Sequence, residues 1–337
     1  MPFGYLVSTV IAAIAPALAL WPRATRGPRA SPAFVVESVA NELPLPILYW
    51  LVATTLLAVA QGNIDTPVGW LGLAIAIAAA VAVGAVVQRA RAARPALDAA
   101  FAAALGRDWL GGLAPTRPER TRRTVQILIA PLRITPRTVR RARNVSYGPA
   151  GRANLLDLYR DRAPTGPSPV LIYFHPGGFF SGRKSREARP LIDRLVADGW
   201  LCISANYRLR RDGQFPDPLV DAKRVIAWVR SHADEIGADR DTVFVAGGSA
   251  GAHLAAMCAL TPNDATLQPG FESADTSVAA AITLYGFYGS ASNAAGTQSS
   301  PRDVVHAGAP PFLVIHGDRD PMTHVDGARE FVAALRT

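Results

Sequence analysis

Apolar and polar positions divide the chain into two textures. Residues 5–20 (YLVSTVIAAIAPALAL), 45–60 (LPILYWLVATTLLAVA) and 68–87 (VGWLGLAIAIAAAVAVGAVV) carry no charge. A bilayer core asks for about 20 apolar residues, or about 17 at the short end. The third segment meets that length outright, the second meets it once flanking residues are counted, and the first is marginal. Residues 1–88 are therefore expected to form two or three transmembrane helices, against the plainer alternative of buried core helices. For the first segment a leader peptide also competes, because Ala17-Leu18-Ala19 resembles a small-residue cleavage site; Met1 to Gly4, however, has no basic start.

From Arg143 onward the pattern changes to short β-rich runs alternating with amphipathic stretches. It predicts strands at 143–148, 154–159 and 169–174, a helix at 186–198, a strand at 200–205 and a helix at 217–235. A strand at 242–246, a helix at 249–260, strands at 279–285 and 311–316 and a helix at 325–336 follow. Strands separated by helices of this length indicate βαβ units and a mostly parallel sheet. Runs such as VLIYF and VFVA do not alternate, as expected of strands covered on both faces. The predicted fold class is α/β, a doubly wound sheet over 143–337, preceded by an all-α region. Such a sheet places its site at the carboxyl ends of its strands. Local punctuation agrees: Asp217 and Pro218 read as N-cap and first residue of the long helix, and Gly199 as the stop of the preceding one.

Residues 89–142 join the two textures and are rich in Ala, Arg and Pro. Short helices are expected there, among them PALDAAFAAALG, with Leu97, Phe101 and Leu105 on one face and Gly106 as its stop. Charge sharpens the picture. Of the formal +9, Arg89 to Arg143 contributes thirteen arginines against Asp98, Asp108 and Glu119, a net of +10, which leaves the remainder near −1. A basic stretch beside a membrane segment attracts anionic lipid headgroups by roughly 1 kcal/mol per residue, although a solvated arginine-rich linker accounts for it equally well. Nucleic acid is not expected as a partner, because no binding motif accompanies the charge. Arg23, Arg26 and Arg29 follow the first apolar segment, and Arg89, Arg91 and Arg94 follow the third. The loop 61–67 holds only Asp65, so the positive-inside rule puts residues 21–44 and everything after Arg89 in the cytoplasm of a multi-pass cell-membrane protein. Cys202 and Cys258 lie in apolar runs and read as core packing, which suits a reducing compartment.

Three strand ends carry chemistry. VFVA-Gly247-Gly248-Ser249-Ala250-Gly251-AHLAAMCAL is a strand, a Gly-x-Ser-x-Gly turn and a helix, which displays Ser249 at a strained apex flanked by Gly247 and Gly251. The pentapeptide alone is weak, since a glycine-rich turn also cradles phosphate; its flanks make it stronger. His175-Pro176-Gly177-Gly178 follows VLIYF. Free backbone N–H groups of Gly177 and Gly178, with Ala250 as a third, can stabilise the oxyanion of acyl transfer, and His175 is read as holding that loop. His316-Gly317-Asp318-Arg319-Asp320 follows PPFLVI, and its carboxylates can orient a histidine base, Asp320 being preferred to Asp318. An ordinary tight turn and solvated loop carboxylates are the bland readings of the last two motifs.

Together the segments HPGGFFSG, SANYRL, FPDPLVDAKRVIAWV, GGSAGAHLA and HGDRD, in this order, resemble the α/β-hydrolase superfamily. The resemblance is to the hormone-sensitive-lipase-like esterases and lipases and the related membrane-attached bacterial lipases, and it covers about Asn144 to Thr337. It implies Ser249 as nucleophile, Gly177, Gly178 and Ala250 as the oxyanion hole, Asp320 as the acid, an acyl-serine mechanism, and no metal or cofactor. The implied substrates are small-molecule or lipid carboxylic esters. Thioesters, amides and peptides are alternatives within the class, because the same site attacks any activated acyl carbonyl.

Three departures stand out. Pro176 replaces the usual glycine, the connection from 286–289 (GFYG) to the HGDRD motif is short, and no histidine follows in the family position. His232 and His253 fall on predicted helices, His306 in a connection, His316 at a strand end, and His324 only four residues after Asp320. The expectation is that the base is absent from these 337 residues, through truncation or loss, leaving a sheet without its last strand. A catalytically silent, membrane-anchored binding domain is the rival reading.

Overall fold

In the computed structural model, residues 2–21, 36, 40–41, 44–109, 111, 138–209, 213–291 and 299–337 are described. The chain divides into two compact units, residues 1–133 and 134–337.

The described part of the first unit is built on three long helices, α1 (Pro2–Leu20), α2 (Pro44–Ala60) and α3 (Pro67–Leu105). Thr66 starts α3 by accepting the Gly69 amide on Oγ1 at 3.1 Å, and Pro67, whose missing N–H costs nothing at that position, follows. The helices are tied by side chains: Tyr5 Oη and Thr55 Oγ1 lie 2.9 Å apart, Trp50 Nε1 donates to Ser8 Oγ at 2.9 Å, and the Tyr5 ring lies against Gly72. Arg89 donates to the Leu20 carbonyl at 2.9 Å and so closes the open end of α1. Buried positions between the helices are mostly small, as at Ala58, Ala76 and Ala79, while Trp50, Leu56, Trp70, Ile77 and Val81 face outward.

Two expectations for this unit change. The apolar segment ranked marginal forms the 19-residue α1, whereas 45–60 forms a 17-residue helix, the shortest of the three. The boundary expected after residue 88 falls inside α3, which runs on for 39 residues, so PALDAAFAAALG is the tail of that helix and not a separate one. Pro95 removes one ladder donor, but the alanine-rich sequence around it has high helix propensity and carries the helix through. Gly106, at φ 93°, then ends it as expected. Most of the remaining arginine-rich stretch, residues 112–137, lies outside the described residues.

The second unit is a seven-stranded mixed sheet in the order β1-β2-β4-β3-β5-β6-β7. Its elements are β1 (Val139–Ser146), β2 (Leu155–Asp161), β3 (Ser168–Phe174), α4 (Arg189–Ala197), β4 (Leu201–Ala205), α5 (Asp217–Ser231) and α6 (Ala233–Ile236). They continue with β5 (Ala238–Gly248), α7 (Ala250–Leu260), β6 (Ala280–Leu284), β7 (Phe312–Ile315) and α8 (Val325–Leu335). Pairing is antiparallel from β1 through β2 to β4 and parallel from β4 to β7. Alternate residues of β3 serve opposite cores. Val170, Ile172 and Phe174 pack with Leu219, Val225 and Leu254 of α5 and α7, whereas Leu171 and Tyr173 pack with Ile192 and Val196 of α4. That double burial is why VLIYF shows no polar alternation.

Element ends move by a few residues from expectation. β1 starts at Val139, because its pairing extends to Val139 opposite Asp161. Pro216, not Asp217, is the N-cap of α5, and the predicted 217–235 helix breaks at His232 into α5 and α6. β7 has β6 as its one strand neighbour among the described residues.

Candidate active site

Register brings the three motif-bearing strand ends side by side. Phe174 of β3 pairs with Gly247, Gly248 with Leu284, and Leu284 with Ile315. His175, Ser249, Tyr285 and His316 are therefore the first residues past four adjacent strands, at the carboxyl ends where a doubly wound sheet holds its chemistry.

Ser249 occupies the turn between β5 and α7 with φ 51° and ψ −116°, a region a non-glycine residue enters only under strain. Its amide donates to the Leu284 carbonyl at 2.9 Å, and its own carbonyl accepts the His253 amide at 3.1 Å, so the strained residue is pinned from both sides. Only glycine fits the two flanking positions: a Cβ at Gly247 would run into the Gly251 backbone, and one at Gly251 into the Phe174 carbonyl.

The loop after β3 is left-handed at three successive residues, Gly177 (φ 134°), Gly178 (φ 62°) and Phe179 (φ 64°). Among the described residues no acceptor takes the amide N–H of Gly177, Gly178 or Ala250. Ala250 opens α7, where amides are unpaired by the geometry of a helix start and the helix dipole favours negative charge. His175 is buried under this loop. Its Nδ1 lies 2.8 Å from the Pro176 carbonyl, which fixes it as a donor, and its ring stacks on Tyr207 at 4.4 Å. Burial pushes its pKa down to about 4, so the imidazole is neutral at pH 7.

Asp320 closes its own loop, with Oδ1 accepting the amides of Met322 (2.8 Å) and Thr323 (3.0 Å). His316 Nε2 donates to the Thr323 carbonyl at 2.6 Å and lies 3.5 Å from Asp320 Oδ2. Tyr285 links this loop to the serine turn: its hydroxyl lies against Gly248, its amide donates to Ile315 O at 2.7 Å, and its carbonyl lies 3.2 Å from Thr323 Oγ1. Each of the six imidazole rings has its hydrogen-bond partner elsewhere than Ser249. They are Pro176 O for His175, Trp228 O for His232, Ser299 O for His253, Gly308 N for His306, Thr323 O for His316 and Asp326 for His324.

Sequence reasoning missed the groups that hold these loops in place. Lys184, at the far end of the glycine loop, donates from Nζ to the buried Asp157 carboxylate at 2.6 Å and to Asn144 Oδ1 at 2.8 Å, and Arg141 donates to the other Asp157 oxygen at 2.5 Å. Burial alone raises the Asp157 pKa, but the Arg141 and Lys184 hydrogen bonds and the Asn144 amide outweigh it and hold the carboxyl below its ordinary value. One signal was available: Lys184 and Lys223 are the two lysines of a chain that otherwise uses arginine, and both are buried.

The BD-FAE family model matches residues 156–292. Esterase LipQ of Mycobacterium tuberculosis is 43% identical over 57% of this chain and 52% of its own length. The probable carboxylic ester hydrolase LipM of the same organism is 34% identical over 99% of this chain and 84% of its own. The chain thus spans about half of LipQ and most of LipM. Among solved structures, Thermogutta terrifontis esterase 2 phosphorylated by paraoxon superimposes with a TM-score of 0.52 at 27% identity, covering 59% of this chain and 78% of that one. With LipM aligned along nearly the whole sequence and the serine turn, glycine loop and Asp320 loop on neighbouring strand ends, the chain belongs to the α/β-hydrolase superfamily, in its hormone-sensitive-lipase-like group of esterases.

Proposed function

We propose that this chain is a membrane-attached carboxylic-ester hydrolase working through an acyl-serine intermediate. The observation that carries the reading is Ser249, held at φ 51° at the start of α7, with the Gly177 and Gly178 amides, unpaired among the described residues, one strand away. In this mechanism Ser249 Oγ attacks the ester carbonyl carbon, the carbonyl oxygen becomes an oxyanion donated to by the amides of Gly177, Gly178 and Ala250, and the alcohol leaves. Water then cleaves the acyl-enzyme. Asp320 is the carboxylate that would orient an imidazole base, and the reaction calls for neither metal nor cofactor. Small or lipid-derived carboxylic esters are the substrates this reading implies.

Paraoxon is the direct probe, since it phosphorylates the structural relative. Ser249 should acquire one diethyl phosphate, seen by intact mass, and Ser249→Ala should not. With no imidazole of this chain bonded to the serine, modification should be slow, and appending a strand and histidine loop of the α/β-hydrolase kind should accelerate it. Ester turnover by the unmodified chain at about 10 s⁻¹, an ordinary enzyme rate, would overturn the assignment of the histidines. The same histidine positions favour a second reading, a catalytically silent binding domain; no Ser249-dependent adduct with either form would establish it.

Membrane attachment is supported by α1 and α3, which are long and apolar enough to cross a bilayer while only 22% and 28% of their most apolar stretches are buried. Anionic lipid headgroups are then the partners of Arg89, Arg91 and Arg94. The proposed topology puts the loop at Gln61 outside and the hydrolase unit in the cytoplasm. Cysteines introduced at Gln61 and Arg152 should label from opposite sides of intact cells. Labelling from one side, or release of the protein by alkaline carbonate, would refute it.

A further inference from the structure

The three left-handed residues of the glycine loop pose a problem that the proposed mechanism leaves open. Gly177 and Gly178 adopt positive φ without steric penalty, but Phe179 does not, and a strained non-glycine residue persists only where its surroundings hold it. The Phe179 ring meets Tyr207 at 6.3 Å and the imidazole of His253 edge-on at 5.6 Å and 88°. Tyr207 in turn stacks on His175 and donates its hydroxyl to the His175 carbonyl at 2.7 Å. A continuous file of rings, His175, Tyr207, Phe179 and His253, therefore runs beneath the loop.

His253 is the member tied to the nucleophile. It stands one helical turn after Ser249, with its amide bonded to the Ser249 carbonyl. The ring is fully buried, stacked against Phe287 at 17° and met edge-on by Phe215 at 86°. Its Nε2 lies 2.6 Å from the Ser299 carbonyl, which can only accept, so Nε2 carries the proton, and the backbone of Gly289 also lies within hydrogen-bonding reach of the ring. The loop's base touches α7 through the glycine contact between Gly251 and the Phe174 carbonyl, and its tip through the Phe179–His253 contact.

We infer that His253 is a positioning residue of the acyl-transfer site: acting through Phe179, it sets the Gly177 and Gly178 amides at a fixed distance from Ser249. This rests on the serine-hydrolase reading above and assigns His253 no proton transfer. Its neutrality follows from burial, which lowers the imidazole pKa to about 4. Oxyanion donors act by preorganisation, so a loop that relaxes by a fraction of an ångström loses rate more than affinity.

The test is a double-mutant cycle on the whole 337-residue chain in detergent, reading the second-order rate of Ser249 phosphorylation by paraoxon and the thermal midpoint of each protein. His253→Ala and Phe179→Ala should each slow phosphorylation by about 10- to 100-fold, the lower range of losing one oxyanion donor. The double variant should be no slower than the slower single one, because the two residues act as one unit. His253→Phe, which keeps a ring of similar shape, should recover most of the rate even if its midpoint falls, which a merely structural role would not allow. Phe215→Leu alters the same imidazole's surroundings away from the loop and should leave the rate within about 3-fold. Additive losses in the double variant, wild-type rates in the single variants, or rates that follow the midpoints across all five variants would overturn the inference. Absence of any Ser249-dependent adduct in both the wild-type chain and the form carrying the appended strand and histidine loop would overturn the serine-hydrolase reading and this inference with it.

Discussion

The two units place their large apolar side chains in opposite ways. Among the described residues of the first, seventeen large hydrophobic side chains are exposed, including Trp50, Leu56, Trp70 and Val81, while the positions between its helices are taken mostly by Ala, Gly and other small residues. In the second, four are exposed among the described residues, and all four, Phe180, Tyr285, Phe287 and Met322, lie in the loops past the carboxyl ends of β3, β6 and β7. Small residues inside and large ones outside is the arrangement of helices packed in an apolar solvent, where close backbone approach and not water exclusion drives association. The second unit follows the ordinary rule of water-soluble domains and breaks it at the strand ends that carry the candidate site. The same apolar amino acids thus point outward in one unit and inward in the other, and their direction, not their number, distinguishes the two.

The comparison is sharpest where a charge sits inside. Asp157→Asn should destabilise the second unit by about 3 to 5 kcal/mol, since it leaves Lys184 and Arg141 facing a neutral group in a buried site; the first unit should melt unchanged in the same scan. The pH dependence carries a sign. Because the folded-state pKa of Asp157 is depressed, its contribution is fully present above about pH 4, the ordinary aspartate value, and is lost as pH falls through the lower folded value. Acid titration of the wild-type unit should therefore show a stability loss below pH 4 that Asp157→Asn lacks.

A slightly smaller effect can break the comparison outright. Val81, 68% exposed on α3, would cost about 2.5 to 3.5 kcal/mol on replacement by arginine at the centre of a membrane helix. At a water-facing position the change should stay within about 0.5 kcal/mol. An insertion assay that finds no penalty would make the first unit a soluble bundle. Ala79→Leu, inside the same bundle, should cost about 1 to 3 kcal/mol by overpacking, measured as loss of helix–helix association in detergent. Smallest of all, Phe180→Ala should move the thermal midpoint of the second unit hardly at all, by under about 0.5 kcal/mol, because its ring is already exposed.

Much of the second unit is legible in the sequence because its constraints are local. Strands buried on both faces write unbroken apolar runs such as VLIYF, and the serine turn writes its own glycines, since Gly247 and Gly251 are needed within four residues of each other. Less legible is whatever depends on contacts distant along the chain. Asp157 and Lys184 are 27 residues apart and look like any surface charges until the fold buries them. His253 reads as a core histidine on an apolar helix, and only the approach of Phe179 and Phe287 from other loops gives it a neighbourhood. In the first unit the change to an Ala-, Arg- and Pro-rich composition after residue 88 marks no structural boundary, because an alanine-rich helix carries through the arginines and Pro95 alike.

The burial of both lysines has a practical side. Lys184 and Lys223 are 7% and 0% exposed, so amine-directed acylating reagents and short cross-linkers meet no accessible lysine side chain while the second unit is folded. Lysine modification of this protein is thereby a clock for opening: the rate at which Lys184 becomes acylated reports release of the strap that follows the glycine loop, and Lys223, lodged among Thr261, Gln268 and Thr276, reports the separate opening of α5.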